Sequence, residues 1–175
     1  KNKVGGTCLN VGCIPTKALM KNVEILHYID AGKKRGIKVK GELELDYAKA
    51  VKAKDKAVKQ LVNGVTGLLG SNEITMYQGM GTVKAGNKIE VAAENGDVET
   101  IEYGKLILAT GSSPKMPPIP GADLEGVMTS EGFLSITEVP EKLVVIGAGV
   151  IGCELATVFK AYGSQITMVE MMDKP

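Results

Sequence analysis

Apolar positions recur at helical spacing twice in the first half of the chain. Ala18, Leu19, Val23, Leu26 and Ile29 share one face and predict a helix over residues 15–31. Val51, Val58, Val62, Val65 and Leu69 mark the buried face of a second, longer helix over 46–69. Lys49, Lys52, Lys56 and Lys59 fall on another face of it, which is either solvated or turned toward an acidic partner. Between them, Gly32 to Gly41 is a basic, glycine-bounded connection. From Glu73 the pattern changes to short strands, expected at 74–78, 88–93 and 98–103, with Gly86-Asn87 and Asn95-Gly96 as turn signals. A further apolar strand is expected at 105–109, stopping at Thr110-Gly111. Pro114, Pro117, Pro118 and Pro120 then read as an extended crossing. Strand 142–146, helix 150–162 and strand 165–169 form a strand–helix–strand unit. There is no internal repeat and no low-complexity tract.

Composition narrows this picture only a little. The 175 residues suffice for one domain or parts of two. With 21 basic and 20 acidic side chains the net charge is +1, which gives no reason to expect nucleic acid or a membrane. The balance is uneven, however: residues 1–60 hold 14 Lys/Arg against 6 Asp/Glu, and residues 61–175 hold 7 against 14. No apolar run approaches the length of a bilayer span. Three cysteines are too few for a disulfide scaffold and suit a reducing compartment with one catalytic pair.

Two of those cysteines carry the chemistry. Cys8 and Cys13 stand five apart in Gly5-Gly6-Thr7-Cys8-Leu9-Asn10-Val11-Gly12-Cys13-Ile14-Pro15-Thr16-Lys17. On a regular helix that spacing separates Cα atoms by about 8–9 Å. A disulfide needs roughly 4.4–6.8 Å. A bond between them requires an irregular turn, which Gly12 can supply. Such a constrained ring is readily reduced, as a cycling disulfide must be. A helix starting here also favours a thiolate. The competing readings are a surface disulfide or a pair of idle thiols. A zinc site fits less well still, since Cys153 and His27 lack any ligand spacing.

A second constellation is Gly147-Ala148-Gly149-Val150-Ile151-Gly152. This G-x-G-x-x-G run follows an apolar strand and opens a helix, which is the context a dinucleotide site requires. Gly147 permits the tight turn, Gly149 lets a pyrophosphate approach, and Gly152 allows close helix–strand packing. The helix start supplies amide donors. Glu170, 18 residues after Gly152, ends the next strand. A carboxylate there accepts from ribose hydroxyls and repels a 2′-phosphate, favouring NAD over NADP. An ordinary tight turn followed by a surface acid is the plain alternative.

The cysteine run resembles, residue for residue, the active-site motif of the dihydrolipoamide dehydrogenase family of flavoprotein disulfide reductases. The resemblance extends along essentially the whole chain. It implies an α/β fold of two Rossmann-like FAD/NAD(P)-binding domains, both incomplete here: 1–113 for FAD, 114–141 as connection and 142–175 opening the NAD domain. It implies catalytic roles for Cys8 as interchange thiol, Cys13 as the thiol against the flavin, Lys17 near the flavin and Glu154 as its partner. It implies FAD contacts at Gly6, Thr7, Cys8 and Lys17, at Gly81, and at Thr110, Gly111 and Ser112. It implies NAD contacts across Gly147, Ala148, Gly149, Val150, Ile151 and Gly152, with Glu154 and Glu170. Expected partners are dihydrolipoamide on lipoyl domains of 2-oxoacid dehydrogenase or glycine-cleavage complexes, and a second copy in a homodimer. The expected compartment is the cytoplasm, or the mitochondrial matrix of a eukaryote. Cys153 reads as a small buried hydrophobe and His27 as structural or solvated. A related NADPH-dependent disulfide or mercuric reductase, or a non-catalytic nucleotide-binding protein, remains as an alternative. Both ends read as internal to a longer protein. A first glycine fingerprint is expected before Lys1, and a His–Glu base pair well beyond Pro175. The piece by itself is expected to be inactive.

Overall fold

The structure, a computed structural model, describes residues 3–173. Two helices open it, α1 (Gly6–Val11) and α2 (Cys13–Lys33), parted only by Gly12. The second begins two residues before the expected start at Pro15. Pro15 still lies in the first turn, where a missing N–H costs no hydrogen bond. The long α3 (Tyr47–Ser71) starts at Asp46, whose carboxylate accepts from the Lys49 amide at 2.8 Å.

Three antiparallel strands follow as a meander: β1 (Met80–Lys84), β2 (Lys88–Ala92) and β3 (Val98–Glu102). Met80 lies opposite Ala92, and Lys88 opposite Glu102. Gly86 and Asn87 take φ of 76° and 57° in the first turn, and Gly96 takes 90° in the second. A short α4 (Ser130–Phe133) leads to β4 (Lys142–Ile146), α5 (Val150–Ala161) and β5 (Gln165–Val169). The last two strands run parallel, with Lys142 opposite Gln165 and Ile146 opposite Val169. That is one right-sized βαβ unit.

Two expected strands do not form, and one unexpected strand does. Residues 74–78 and 105–109 lie outside every sheet. Both are apolar, yet no strand among the described residues runs beside them to take their ladder hydrogen bonds. Ile107 and Leu108 are consequently 88% and 71% exposed. Met80–Lys84 showed no strand pattern because Gly81 interrupts it. It becomes a strand through pairing with β2.

The core is helical and sits against the βαβ unit. Leu19 and Val23 of α2, Tyr47, Ala50 and Val51 of α3, Leu134, Leu143, and Leu155, Val158 and Phe159 of α5 form one buried cluster. Phe159 is fully buried and stacks edge-on with Phe133 at 5.0 Å and tilted with Tyr47 at 5.4 Å. Tyr162 meets Tyr47 edge-on at 5.0 Å. Burial pushes the Tyr47 phenol up to about 12. The buried face of α3 is its first half. Val58, Val62, Val65 and Leu69 are only half-covered, so the expected stripe continues past the core that uses it. Lys54, between the exposed lysines, is instead 5% exposed: its ammonium donates to the Leu134 carbonyl at 2.5 Å and pairs with Asp55 at 2.8 Å. Phe159→Ala should cost about 3–5 kcal/mol. The check is the urea midpoint of the intact protein, which falls at unchanged slope.

Candidate functional site

The thiol pair is assembled by a break between two helices. Cys8 sits inside α1 and Cys13 is the first residue of α2. Gly12 between them has φ −132° and ψ −114°. A Cβ at Gly12 would lie 3.0 Å from the Thr7 carbonyl oxygen and 3.1 Å from the Cys8 Cα. The chain doubles back too closely for a side chain, and that brings the two sulfurs together. Thr16, buried, donates both its amide (3.2 Å) and its hydroxyl (2.8 Å) to the Gly12 carbonyl, which fastens the break to α2. Asn10 holds the other side by donating to the carbonyls of Val4 and Gly6, each at 2.9 Å.

Both cysteines are exposed and in the thiol form. The Cys8 thiol, hydrogen-bonded to Cys13, raises the Cys13 pKa; desolvation adds to this, and the Lys17 charge pulls the other way. Lys17, one turn into α2, forms an ion pair with Glu154 of α5. That contact spans 137 residues of sequence and ties the thiol helix to the helix of the βαβ unit.

The glycine turn has the geometry the fingerprint requires. Gly147 has φ +98°, which a side chain rarely tolerates. At Gly149 a Cβ would meet nothing within 4 Å, so the backbone is open to an approaching group. At Gly152 a Cβ would lie 2.2 Å from the Gly147 carbonyl oxygen, so no larger residue fits. No side chain caps α5, and its first-turn amides are available to an anion. A pyrophosphate fits these residues.

Glu170 is fixed at the end of β5. One carboxylate oxygen accepts from the amides of Met171 (2.8 Å) and Met172 (2.9 Å), and the other from Ala148 in the glycine turn (2.7 Å). The Met172 and Ala148 amides hold its carboxyl below the usual carboxylate range.

Not every candidate joins this group. Gly81 lies in β1, and the meander makes its extensive contacts only within itself. A Cβ at Gly81 would meet only Ile89, at 3.8 Å, so its fold does not demand glycine. Gly79 is the glycine the packing needs: a Cβ there would lie 2.3 Å from the Ala92 carbonyl oxygen. Thr110, Gly111 and Ser112 lie in exposed, irregular chain. Cys153 proves to be a donor rather than only a hydrophobe, for its thiol gives a hydrogen bond to the Ala148 carbonyl at 3.1 Å. Its place in the sequence carries no signal for that bond, which depends on the orientation of the thiol. Among the described residues no cluster of metal-ligating side chains occurs, and no helix is long and apolar enough to cross a membrane.

Known proteins resemble the chain throughout. The family described as pyridine nucleotide-disulphide oxidoreductase matches residues 2–175. Dihydrolipoyl dehydrogenase of Acholeplasma laidlawii is 44% identical over 99% of this chain and 51% of its own length. The mitochondrial dihydrolipoyl dehydrogenase of Dictyostelium discoideum is 42% identical over 99% of this chain and 36% of its own. That of Bacillus subtilis is 39% identical, over 99% and 38%. In structure, the Cu(II) complex of the HOCl-induced flavoprotein disulfide reductase RclA of Escherichia coli, a cysteine-to-serine mutant, matches with a TM-score of 0.81 at 29% identity. It covers 98% of this chain and 35% of that one. This chain therefore spans 36% to 51% of those curated relatives.

Because its folded pKa is depressed, the Glu170 clamp is complete above the ordinary glutamate pKa of about 4.3 and is lost only as pH falls through a lower value. An acid titration of the Ala148 amide resonance should show that midpoint below 4.3, and Glu170→Gln should abolish the titration.

Proposed function

The chain belongs to the pyridine nucleotide-disulphide oxidoreductase family, and from that premise we propose that the intact protein oxidises protein-bound dihydrolipoamide to lipoamide while reducing NAD to NADH. One observation carries this reading: the Lys17–Glu154 pair joins the Cys8–Cys13 helix to the helix of the dinucleotide turn. In this reading the two adjoining helices carry a thiol redox centre and a nicotinamide site. The relatives named dihydrolipoyl dehydrogenase support the substrate.

In the oxidised protein, Cys8 and Cys13 form a disulfide. A thiolate of dihydrolipoamide attacks the Cys8 sulfur, forming a mixed disulfide and releasing Cys13 as a thiolate. The second substrate thiol displaces Cys8, the lipoamide ring closes, and both cysteines are left reduced. We assign Cys8 as the exchanging thiol and Cys13 as the one that retains charge; the Cys8 thiol holds the Cys13 pKa up in the reduced pair, and the Lys17 charge works against that rise. FAD, when bound, carries the electron pair from the dithiol to the nicotinamide. Gly6, Thr7, Lys17, Gly81 and the Thr110–Gly111–Ser112 segment are the residues we assign to it. The spare room at Gly81, which the fold leaves unused, supports that assignment. NAD is assigned to the turn from Gly147 to Gly152. Glu170 faces the adenosine ribose and excludes a 2′-phosphate by charge.

The domain division at 113 and 142 is also a proposal. A change from an antiparallel meander to a parallel βαβ unit supports it. The partners are lipoyl domains and a second copy of the protein. Bacterial and mitochondrial relatives support the bacterial cytoplasm or the mitochondrial matrix as compartment.

In the intact enzyme, Cys8→Ser and Cys13→Ser should each abolish lipoamide turnover. Only Cys8→Ser should retain a long-wavelength thiolate-to-flavin absorption band. The reverse pattern would exchange the two roles. NAD should exceed NADP in kcat/KM; a preference for NADPH would place the protein with the NADPH-dependent disulfide or mercuric reductases.

A further inference from the structure

We propose that Cys153 is a positioning residue for the dinucleotide turn, aligning the Gly149 amide by holding the Ala148 carbonyl; this rests on the assignment of that turn to NAD. Ala148 stands between two glycines, one at φ +98° and one with nothing near its missing Cβ. Glycine populates both signs of φ freely, so the peptides on either side of Ala148 have little intrinsic direction. Each is nevertheless fixed from outside.

A peptide group is planar, so anchoring its carbonyl sets its N–H in the opposite direction. The Ala148 N–H donates to Glu170 at 2.7 Å, and the carbonyl of the same plane, that of Gly147, lies over Gly152 where a Cβ would be 2.2 Å away. The Ala148 carbonyl accepts from the Cys153 thiol at 3.1 Å. The N–H of that second plane is Gly149's, and planarity turns it away from Cys153. The Cys153 amide donates to the Gly149 carbonyl at 3.0 Å, so one residue grips two successive carbonyls. Glu170 thus orients the first peptide of the turn and Cys153 the second.

Packing does not explain the thiol. Cys153 borders an open groove with Val23, His27, Thr157 and Met168 rather than filling a closed core. An aliphatic side chain would suit that wall equally but would leave the Ala148 carbonyl without a protein partner. A thiol is a weak donor, and its loss is felt as a looser turn rather than an unfolded one.

The test uses the intact, FAD-loaded enzyme. Cys153→Ala and Cys153→Val should raise the KM for NAD and the Kd for NADH about two- to threefold, the low end of what one lost neutral hydrogen bond gives. The kcat and the KM for dihydrolipoamide should stay unchanged. Cys153→Ser, which keeps a donor, should restore the wild-type values. Combining Cys153→Ala with Glu170→Gln should give less than the sum of the two effects, because both act on one residue. NADPH binding should weaken by the same factor as NADH binding, since the pyrophosphate is common to both. A wild-type preference for NADPH would sink the NAD assignment and leave the clamp standing. Serine behaving like alanine, or all three variants binding NADH as the wild type does, would overturn the clamp. Should the alanine and valine variants fail to fold, the infrared difference spectrum between the intact protein and its Cys153→Ser variant isolates the Cys153 S–H band. A lowered S–H stretching frequency supports the bond, and that of a free thiol refutes it.

Discussion

The packing of α5 against α2 is the constraint from which both centres take their place. Leu19 and Val23 on one helix and Val158 and Phe159 on the other are all at most 2% exposed. Burying side chains of this kind is worth roughly 1.5–3 kcal/mol each. The ion pair between the same helices is worth about 0–1 kcal/mol, since the Lys17 side chain is 61% exposed. Packing therefore sets the approach of the helices, and Lys17–Glu154 is a consequence of it. The pair's value lies in position, for it places one cation and one anion where the thiol helix meets the dinucleotide unit.

Glycine marks both centres for different reasons. Gly12 is required because the backbone of Thr7 and Cys8 occupies the space a side chain would need. Gly147 is required by its positive φ, and Gly152 by the carbonyl pressed against it. In each case a local constraint that excludes every other residue bends the chain at the position where chemistry is placed. The two bends differ in what they expose. At Gly12 the side chains on either side are brought together, and at Gly149 the backbone itself is offered.

Legibility in the sequence followed the range of the interaction. The βαβ unit was readable to within a residue, because its periodicity, glycine spacing and closing acid are all local signals. The ends of α2 and α3 were nearly so. The strands at 74–78 and 105–109 were misread, since an apolar extended run becomes a strand only beside a neighbour, and neighbours are not encoded locally. Met80–Lys84 was missed for the complementary reason, as its partner β2 makes it a strand despite Gly81. The buried Lys54 was passed over although it stands three after Val51 and four before Val58 on the apolar stripe; its partner, the Leu134 carbonyl, lies 80 residues away and has no local signal. The link from Cys153 to Ala148 depends on a thiol's orientation, which composition does not reveal.

Two glutamates show how surroundings divide one side chain into two roles. Glu154 faces a cation, so its negative charge is balanced by another side chain, one whose position depends on helix packing. Glu170 faces three backbone amides, two of them just after β5 and one in the glycine turn. Its partners are thus all backbone groups of the βαβ unit and the residues that follow it. Glu170 therefore keeps its geometry as long as the βαβ unit is folded, whereas Glu154 responds to any shift between α2 and α5. Under the proposed assignment, a fixed anion suits the choice between cofactors, which must not vary through a catalytic cycle. Under the same assignment, a charge pair across a helix interface suits the junction of two redox partners, because its field changes when either helix moves.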